Sequence, residues 1–166
     1  MESYFYQSFF RYDIGDSNQM EEIRKMTGIC PQHDVLFDEL TTMEHLQFFA
    51  RIRGMDEKNI EKAAMDIIVE VSLEEKRDTV AKLLSGGQKR KLSVGIALIG
   101  DPKIIFLDEP TAGVDPYSRR HMWNLLKQKK EGKVRPFVLI VFPRKFTNQN
   151  GPISARGFVL FLIIYN

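Results

Sequence analysis

The stretch Gly100–Asp115, GDPKIIFLDEPTAGVD, runs from a turn through an apolar segment to a pair of adjacent acids. Asp101-Pro102 opens it as a turn, and KIIFL is a continuous apolar run of the kind buried on both faces of a parallel sheet. Such a strand delivers Asp108 and Glu109 to its C-terminal end, the edge where open α/β sheets bind ligands. Neighbouring strand residues point to opposite faces, so the two acids are expected to take separate jobs. One would hold Mg²⁺ through its waters, and the other would orient and deprotonate an attacking water. The bland alternative is an acid pair that closes a loop. Pro110 fixes the following turn. Asp115-Pro116 reads as an N-cap with proline at the first helical position, so a helix begins there.

Upstream, Leu83–Lys91 reads LLSGGQKRK. Ser85 and Gln88 form an S-x-x-Q capping box, and the helix they open is expected to stop at Gly100. The first N–H groups of a helix lack partners and carry roughly half a positive charge of macrodipole. Gly86 and Gly87 remove the side chains that would keep a phosphate away, and Ser85 adds a hydroxyl, so this helix start suits an anion. A plain capping box with two incidental glycines is the competing reading. Lys89, Arg90 and Lys91 read as a solvated helix face.

The remaining interior alternates in the same way. TGIC, Thr27–Cys30, is a short strand ending at Pro31. Thr41 with Glu44 makes a second capping box, and Gly54 ends that helix, whose stripe is Met43, Leu46, Phe49 and Ala50. A further helix is expected from about Asp56 to Val71, burying Ile60, Ala63, Ala64, Ile67 and Val71. The helix after Asp115 turns Met122, Trp123 and Leu126 inward, and FVLIVF, Phe137–Phe142, reads as another strand. Helices alternating with buried strands give an α/β fold. His33 and His45 read as surface or packed histidines, and Trp123 as core.

Bulk composition narrows the class. At 166 residues the chain suits one domain with a real core. A net charge of +2 gives no electrostatic case for nucleic acid or an anionic membrane as partner. The single cysteine, Cys30, forms no internal disulfide, which makes an intracellular compartment the expectation. The longest apolar run, FVLFLII at Phe158–Ile164, falls far short of the ~20 residues that cross a bilayer.

Taken together, LSGGQKRK followed by GDPKIIFLDEPTAGVD resembles the signature motif, Walker B strand and D-loop of ATP-binding cassette (ABC) ATPases. GICPQHDVLFDELTTMEHLQFFARIRG is similar to the Q-loop and helical subdomain, and the wording is most similar to subfamily A, the lipid-exporter branch. The resemblance covers residues 12–133, with 1–11 an unrelated flank and 134–166 a divergent tail. It implies an incomplete ABC-type (P-loop NTPase) nucleotide-binding domain: a helical subdomain plus part of a mainly parallel sheet. It also implies ATP and Mg²⁺ as ligands. Gln32 would touch the Mg²⁺ or attacking water, Asp108 would bind Mg²⁺, and Glu109 would be the general base. Leu84, Ser85, Gly86, Gly87 and Gln88 would contact the γ-phosphate of an ATP held by a second nucleotide-binding domain. Asp115 would be the D-loop acid at that dimer interface. The segment from Phe37 to about Arg53 would face the coupling helices of a transmembrane domain, placing the chain on the cytoplasmic face of a membrane.

The same resemblance exposes what is missing. No G-x-x-x-x-G-K-[ST] phosphate loop occurs, the one Gly-Lys pair being Gly132-Lys133 followed by Val134. No switch histidine follows FVLIVF, and His121 precedes that strand. Phosphoryl transfer depends on positioning and charge neutralisation, and a general base contributes only ~10²–10⁴ in rate. The expectation is a chain that does not hydrolyse ATP alone, with sheet edges left uncovered. Val134-Arg135 and the codon of Arg11 are both compatible with intron boundaries, so a translation of retained-intron sequence is a second expectation. A catalytically dead module binding in trans is a third. A soluble ABC ATPase of DNA repair is disfavoured, because the span from Gln32 to Leu84 leaves no room for a long coiled coil.

Overall fold

The computed structural model describes residues 16–131 and 138–142. The flank 1–11 and most of the tail 134–166 therefore lie outside the described residues. Helix α1 (Ser17–Met26) runs directly into strand β1 (Thr27–Cys30). Helices α2 (Thr42–Ile52) and α3 (Glu57–Glu70) follow, then two 3₁₀ turns, Glu74–Lys76 and Ala81–Leu83. Helix α4 (Gly86–Leu98), strand β2 (Ile104–Asp108), helix α5 (Pro116–Glu131) and strand β3 (Val138–Phe142) complete the described elements. The three strands form one parallel sheet in the order β1-β2-β3. Cys30 pairs with Leu107 and Asp108 with Phe142, so Pro31 and Glu109 leave the sheet at the same edge. β3 lies inside the stretch assigned to the divergent tail, yet it shares this sheet.

Local chemistry accounts for most boundaries. Thr41 caps α2 with its full box: the Thr41 hydroxyl accepts from the Glu44 N–H, and the Glu44 carboxylate accepts from the Thr41 N–H at 2.7 Å. Gly54 follows α2 at φ +74°, a backbone that glycine adopts without the Cβ penalty. Asp56 precedes α3 but makes no side-chain cap. Helix α1 lies outside the elements expected from the sequence. It buries no residue, so no apolar period marks it, and its signals are the Asp16 carboxylate accepting from the Asn18 N–H and basic residues in its last turn.

Helix α4 is the centre of the packing. Leu92 to Leu98 are all buried, against the α2–α3 pair on one side and the sheet on the other. Two glycines set these distances. A Cβ on Gly28 would lie 2.0 Å from the Ala97 carbonyl oxygen, so β1 meets α4 backbone to backbone. A Cβ on Gly95 would come within 2.9 Å of the Ile67 side chain, so α4 nests against α3. Leu46, Ile60, Ile68, Leu92, Ile105, Leu107 and Leu126 are fully buried. Burying one such side chain contributes about 1.5–3 kcal/mol. Trp123 is half-buried, and Met122, Leu125 and Leu126 form the inward face of α5. No helix among the described residues is long and apolar enough to cross a membrane.

Candidate nucleotide site

At the C-terminal edge of the sheet, β1 releases the chain into Pro31 and Gln32, and β2 ends at Asp108. Gln32 is exposed, while Asp108 and Glu109 are half-buried. Strand alternation does not aim the two acids. Glu109 lies beyond the last strand residue with φ +46°, a left-handed backbone that a glutamate adopts only when its surroundings hold it. The direction of its carboxylate therefore follows from a turn, closed by the Ala112 N–H donating to the Glu109 carbonyl at 3.0 Å.

What holds this edge together is Arg90. The side chain read as solvated is 2% exposed, because position 90 falls on the buried stripe with Val94 and Ala97. Its Nη1 donates to the Pro31 carbonyl at 2.6 Å, the Gln32 carbonyl at 3.3 Å and an Asp34 carboxylate oxygen at 3.1 Å. Its Nε donates to the Glu109 carbonyl at 3.1 Å, and its Nη2 to the Asp108 carbonyl. One guanidinium thus joins the segments carrying Gln32, Asp108 and Glu109. Lys89 and Lys91 are half-buried and only flank it. A cation at helical spacing with the apolar Val94 and Ala97 was the available signal for Arg90.

The start of α4 has the expected form. The Ser85 hydroxyl accepts from the Gln88 N–H at 3.3 Å, and the Gln88 side-chain oxygen accepts from the Ser85 N–H at 2.9 Å. Neither side chain serves the N–H of Gly86 or Gly87. A Cβ on Gly86 would meet open space, and one on Gly87 would sit 3.5 Å from the Gly113 carbonyl oxygen. Ser85 and Gly86 are exposed, whereas the Leu84 side chain is 5% exposed and belongs to the core. The structure thus separates Leu84 from the four residues after it.

Asp115 caps α5. Its carboxylate accepts from the N–H groups of Tyr117 at 3.0 Å and Ser118 at 2.9 Å, and these bonds hold its pKa below the ordinary carboxylate value. His45 is fully buried, His33 is exposed, and His121 bonds the Ser72 hydroxyl and Glu70 carbonyl away from this edge. Cys30, one residue before Pro31, is 1% exposed, and burial pushes its thiol up to about 12. Among the described residues no cluster of three or more His, Cys, Asp or Glu could hold a resident metal. The donors Asp108 and Gln32 suit an ion that arrives already bound to phosphates and keeps several waters.

The profile of the ABC transporter family matches residues 8–112. This chain belongs to the ABC transporter family. It is 43% identical over 162 residues to human ATP-binding cassette sub-family A member 10, and 43% identical over 164 residues to the mouse cholesterol transporter ABCA5. Those alignments cover 93% and 95% of this chain and 10% of each relative, so the chain spans about a tenth of the length of the curated relatives it matches. Among solved structures, the ATP-binding cassette MJ0796, in a dimeric post-hydrolysis state bound to ADP and Pi, superposes with a TM-score of 0.67 at 26% identity. That match covers 76% of this chain and 56% of the other. An ATP-binding subunit of an ABC transporter gives 0.66 at 27% identity, covering 78% and 52%. The ABC ATPase fold and the subfamily A likeness expected from the signature and Walker B stretches are both confirmed.

Proposed function

We propose that this chain supplies the signature-helix and Walker B part of a subfamily A nucleotide-binding domain, whose whole transporter couples ATP hydrolysis to export of a lipid-like substrate. The observation that carries the reading is the open, capped start of α4 beside the sheet edge that bears Gln32, Asp108 and Glu109. Ser85, Gly86, Gly87 and Gln88 would receive the γ-phosphate of ATP bound to a second domain, with Leu84 seating the helix start from the core. Bound ATP would carry Mg²⁺, whose charge would offset that of the phosphates. Asp108 would meet it through water, Gln32 would orient the attacking water, and Glu109 would accept its proton. Asp115, already the cap of α5, would stand at the dimer interface. The stretch 12–133 would form the functional body. Within it and its flanks no phosphate loop is encoded, so hydrolysis by this stretch alone is not expected.

An apolar surface supports a membrane-domain partner. Val35, Phe37, Phe48 and Ile52 are exposed, and the Phe37 and Phe48 rings pack edge to face with centroids 5.5 Å apart. Phe48 and Ile52 lie four residues apart on α2, so they share one helix face. The cholesterol transporter name of the mouse relative supports the lipid-like substrate.

Size-exclusion chromatography with a complete subfamily A nucleotide-binding domain and a non-hydrolysable ATP analogue tests the reading. The expected result is nucleotide-dependent association that Gly87→Asp weakens at least about tenfold, since one unfavourable charge contact of about 1.4 kcal/mol suffices for that factor. A Cβ at position 87 meets its neighbours at ordinary contact distance, so the substitution leaves the fold intact and places a carboxylate where the phosphate should sit. Absence of association, or association indifferent to this substitution, would overturn the proposal.

A further inference from the structure

Arg90 does more than fill a buried position. From its place in the second turn of α4, its side-chain donors reach two separate stretches, the exit of β1 and the exit of β2. We propose that Arg90 is a positioning residue, locking the segment that carries Gln32 and the turn that carries Glu109 to the signature helix so that all three move as one body. The inference rests on the nucleotide-site reading given above.

The geometry asks for arginine in particular. A guanidinium presents five N–H donors in a rigid plane, and here all three nitrogens are engaged with carbonyls at the exits of two neighbouring strands. A lysine ammonium in the same place would satisfy Asp34 and one or two carbonyls, not both strand exits together. The Glu109 carbonyl receives both the Arg90 Nε and the Ala112 N–H, which pins the left-handed residue from two sides. At the β1 exit, the Pro31 carbonyl, immediately before Gln32, accepts from Arg90 Nη1 at 2.6 Å. Ser85, the cap of α4, lies little more than one helical turn from Arg90. A phosphate that draws on the helix start would therefore bear on Gln32 and Glu109 through a single side chain.

Two site-specific readouts flank the link. Cys30, the chain's one cysteine, precedes Pro31, so its rate of maleimide labelling reports opening of the β1 exit. Amide exchange at Ala112 reports release of the Glu109 turn. Both are measured in the full chain as wild type, Arg90→Met and Arg90→Lys. Arg53→Met is the control, removing a guanidinium that bonds only the far end of α4. Removing a buried charged donor exposes each site at least about tenfold faster. The expected result is that Arg90→Met accelerates Cys30 labelling and Ala112 exchange together, Arg90→Lys restores them in part, and Arg53→Met at a comparable loss of Tm leaves both near wild type. If Arg90→Met does not fold, the Arg90→Lys comparison decides alone. Acceleration at only one reporter, or equal acceleration in Arg53→Met, would overturn the proposal. Neither readout needs nucleotide, so a failure here is distinct from a failure of ATP-dependent association.

Discussion

At its N-terminus α4 is capped by its own residues, Ser85 and Gln88, and of the two glycines between them Gly86 is exposed and Gly87 half-buried. At its C-terminus the cap comes from another helix. Arg53, at the end of α2, donates to the carbonyls of Ile96 at 3.2 Å, Ala97 at 3.3 Å and Ile99, and Gly100 turns the chain away at φ +77°. Burial lowers the Arg53 pKa to about 10, and three carbonyls at the negative end of the helix dipole compensate the cation. One end is closed by tertiary structure, through both terminal nitrogens of Arg53. The other is held in shape by a short-range box that leaves N–H groups for a ligand. The difference shows how one helix serves as a rigid strut and as a binding surface: its buried end pays for the ordering that its exposed end uses.

The closed end should be the harder to disturb without loss of the fold. Gly28→Ala forces a methyl group against the Ala97 carbonyl oxygen, which is backbone and cannot rotate away. Overpacking of that kind typically costs about 1–3 kcal/mol, and this contact belongs at the top of the range, about 3 kcal/mol. Denaturant unfolding of the variant should show it in the midpoint. A midpoint within error of wild type would mean that β1 and α4 do not meet as closely as described.

The open end should yield at smaller cost. Ser85→Ala removes the hydroxyl that accepts from the Gln88 N–H and is expected to lower stability by about 1 kcal/mol, the usual value of an N-cap. Thermal melts read that loss. If Ser85→Ala destabilised as much as Gly28→Ala, the two ends would be equally structural and the contrast between them would fail.

Much of this contrast was readable from residue order because it depends on local rules. Capping boxes at Thr41 and Ser85, glycine after α2, and the apolar run into Asp108 each act within four or five residues, and each occurs where expected. The misreadings have a common origin in tertiary contact. Arg90 reads as solvated from its lysine neighbours, and only the packing of α4 against two strand exits makes it buried. Glu109 reads as a strand residue, and only the turn pinned by Arg90 and Ala112 takes it out of the pleat. The burial of the Leu84 side chain in the core likewise comes from tertiary contact. Helix α1 carries no buried face from which a period could be read. Acidic and glycine signals thus mark the candidate site in the sequence, and long-range carbonyl acceptors decide how that edge is held.

The smallest effect is expected from acid, and it separates the two ends by a different route. His45, fully buried on α2, has Nδ1 2.8 Å from the Thr41 carbonyl and Nε2 2.9 Å from the Phe37 N–H. A carbonyl can only accept and an N–H can only donate, so the ring is neutral, with its proton on Nδ1. Burial lowers its pKa, outweighing the opposing pull of the Thr41 carbonyl and Glu44. The unfolded chain, with an ordinary value near ~6.5, therefore takes up a proton before the folded chain does. Stability from this ring is fully present above about pH 6.5 and is lost as pH falls from there toward the folded value. Protonation turns Nε2 into a donor facing another donor, which loosens the Phe37 loop on its way from the Gln32 edge to α2. Arg53, on the same helix, keeps its charge throughout this range and goes on capping α4. Thermal melts at pH 7 and pH 5 should show a drop of a few degrees in wild type, about 1 kcal/mol or less on the usual scaling. His45→Gln, which keeps an acceptor without a titrating ring, should flatten that slope. An unchanged slope in His45→Gln would assign the acid sensitivity to other groups and remove His45 from the account.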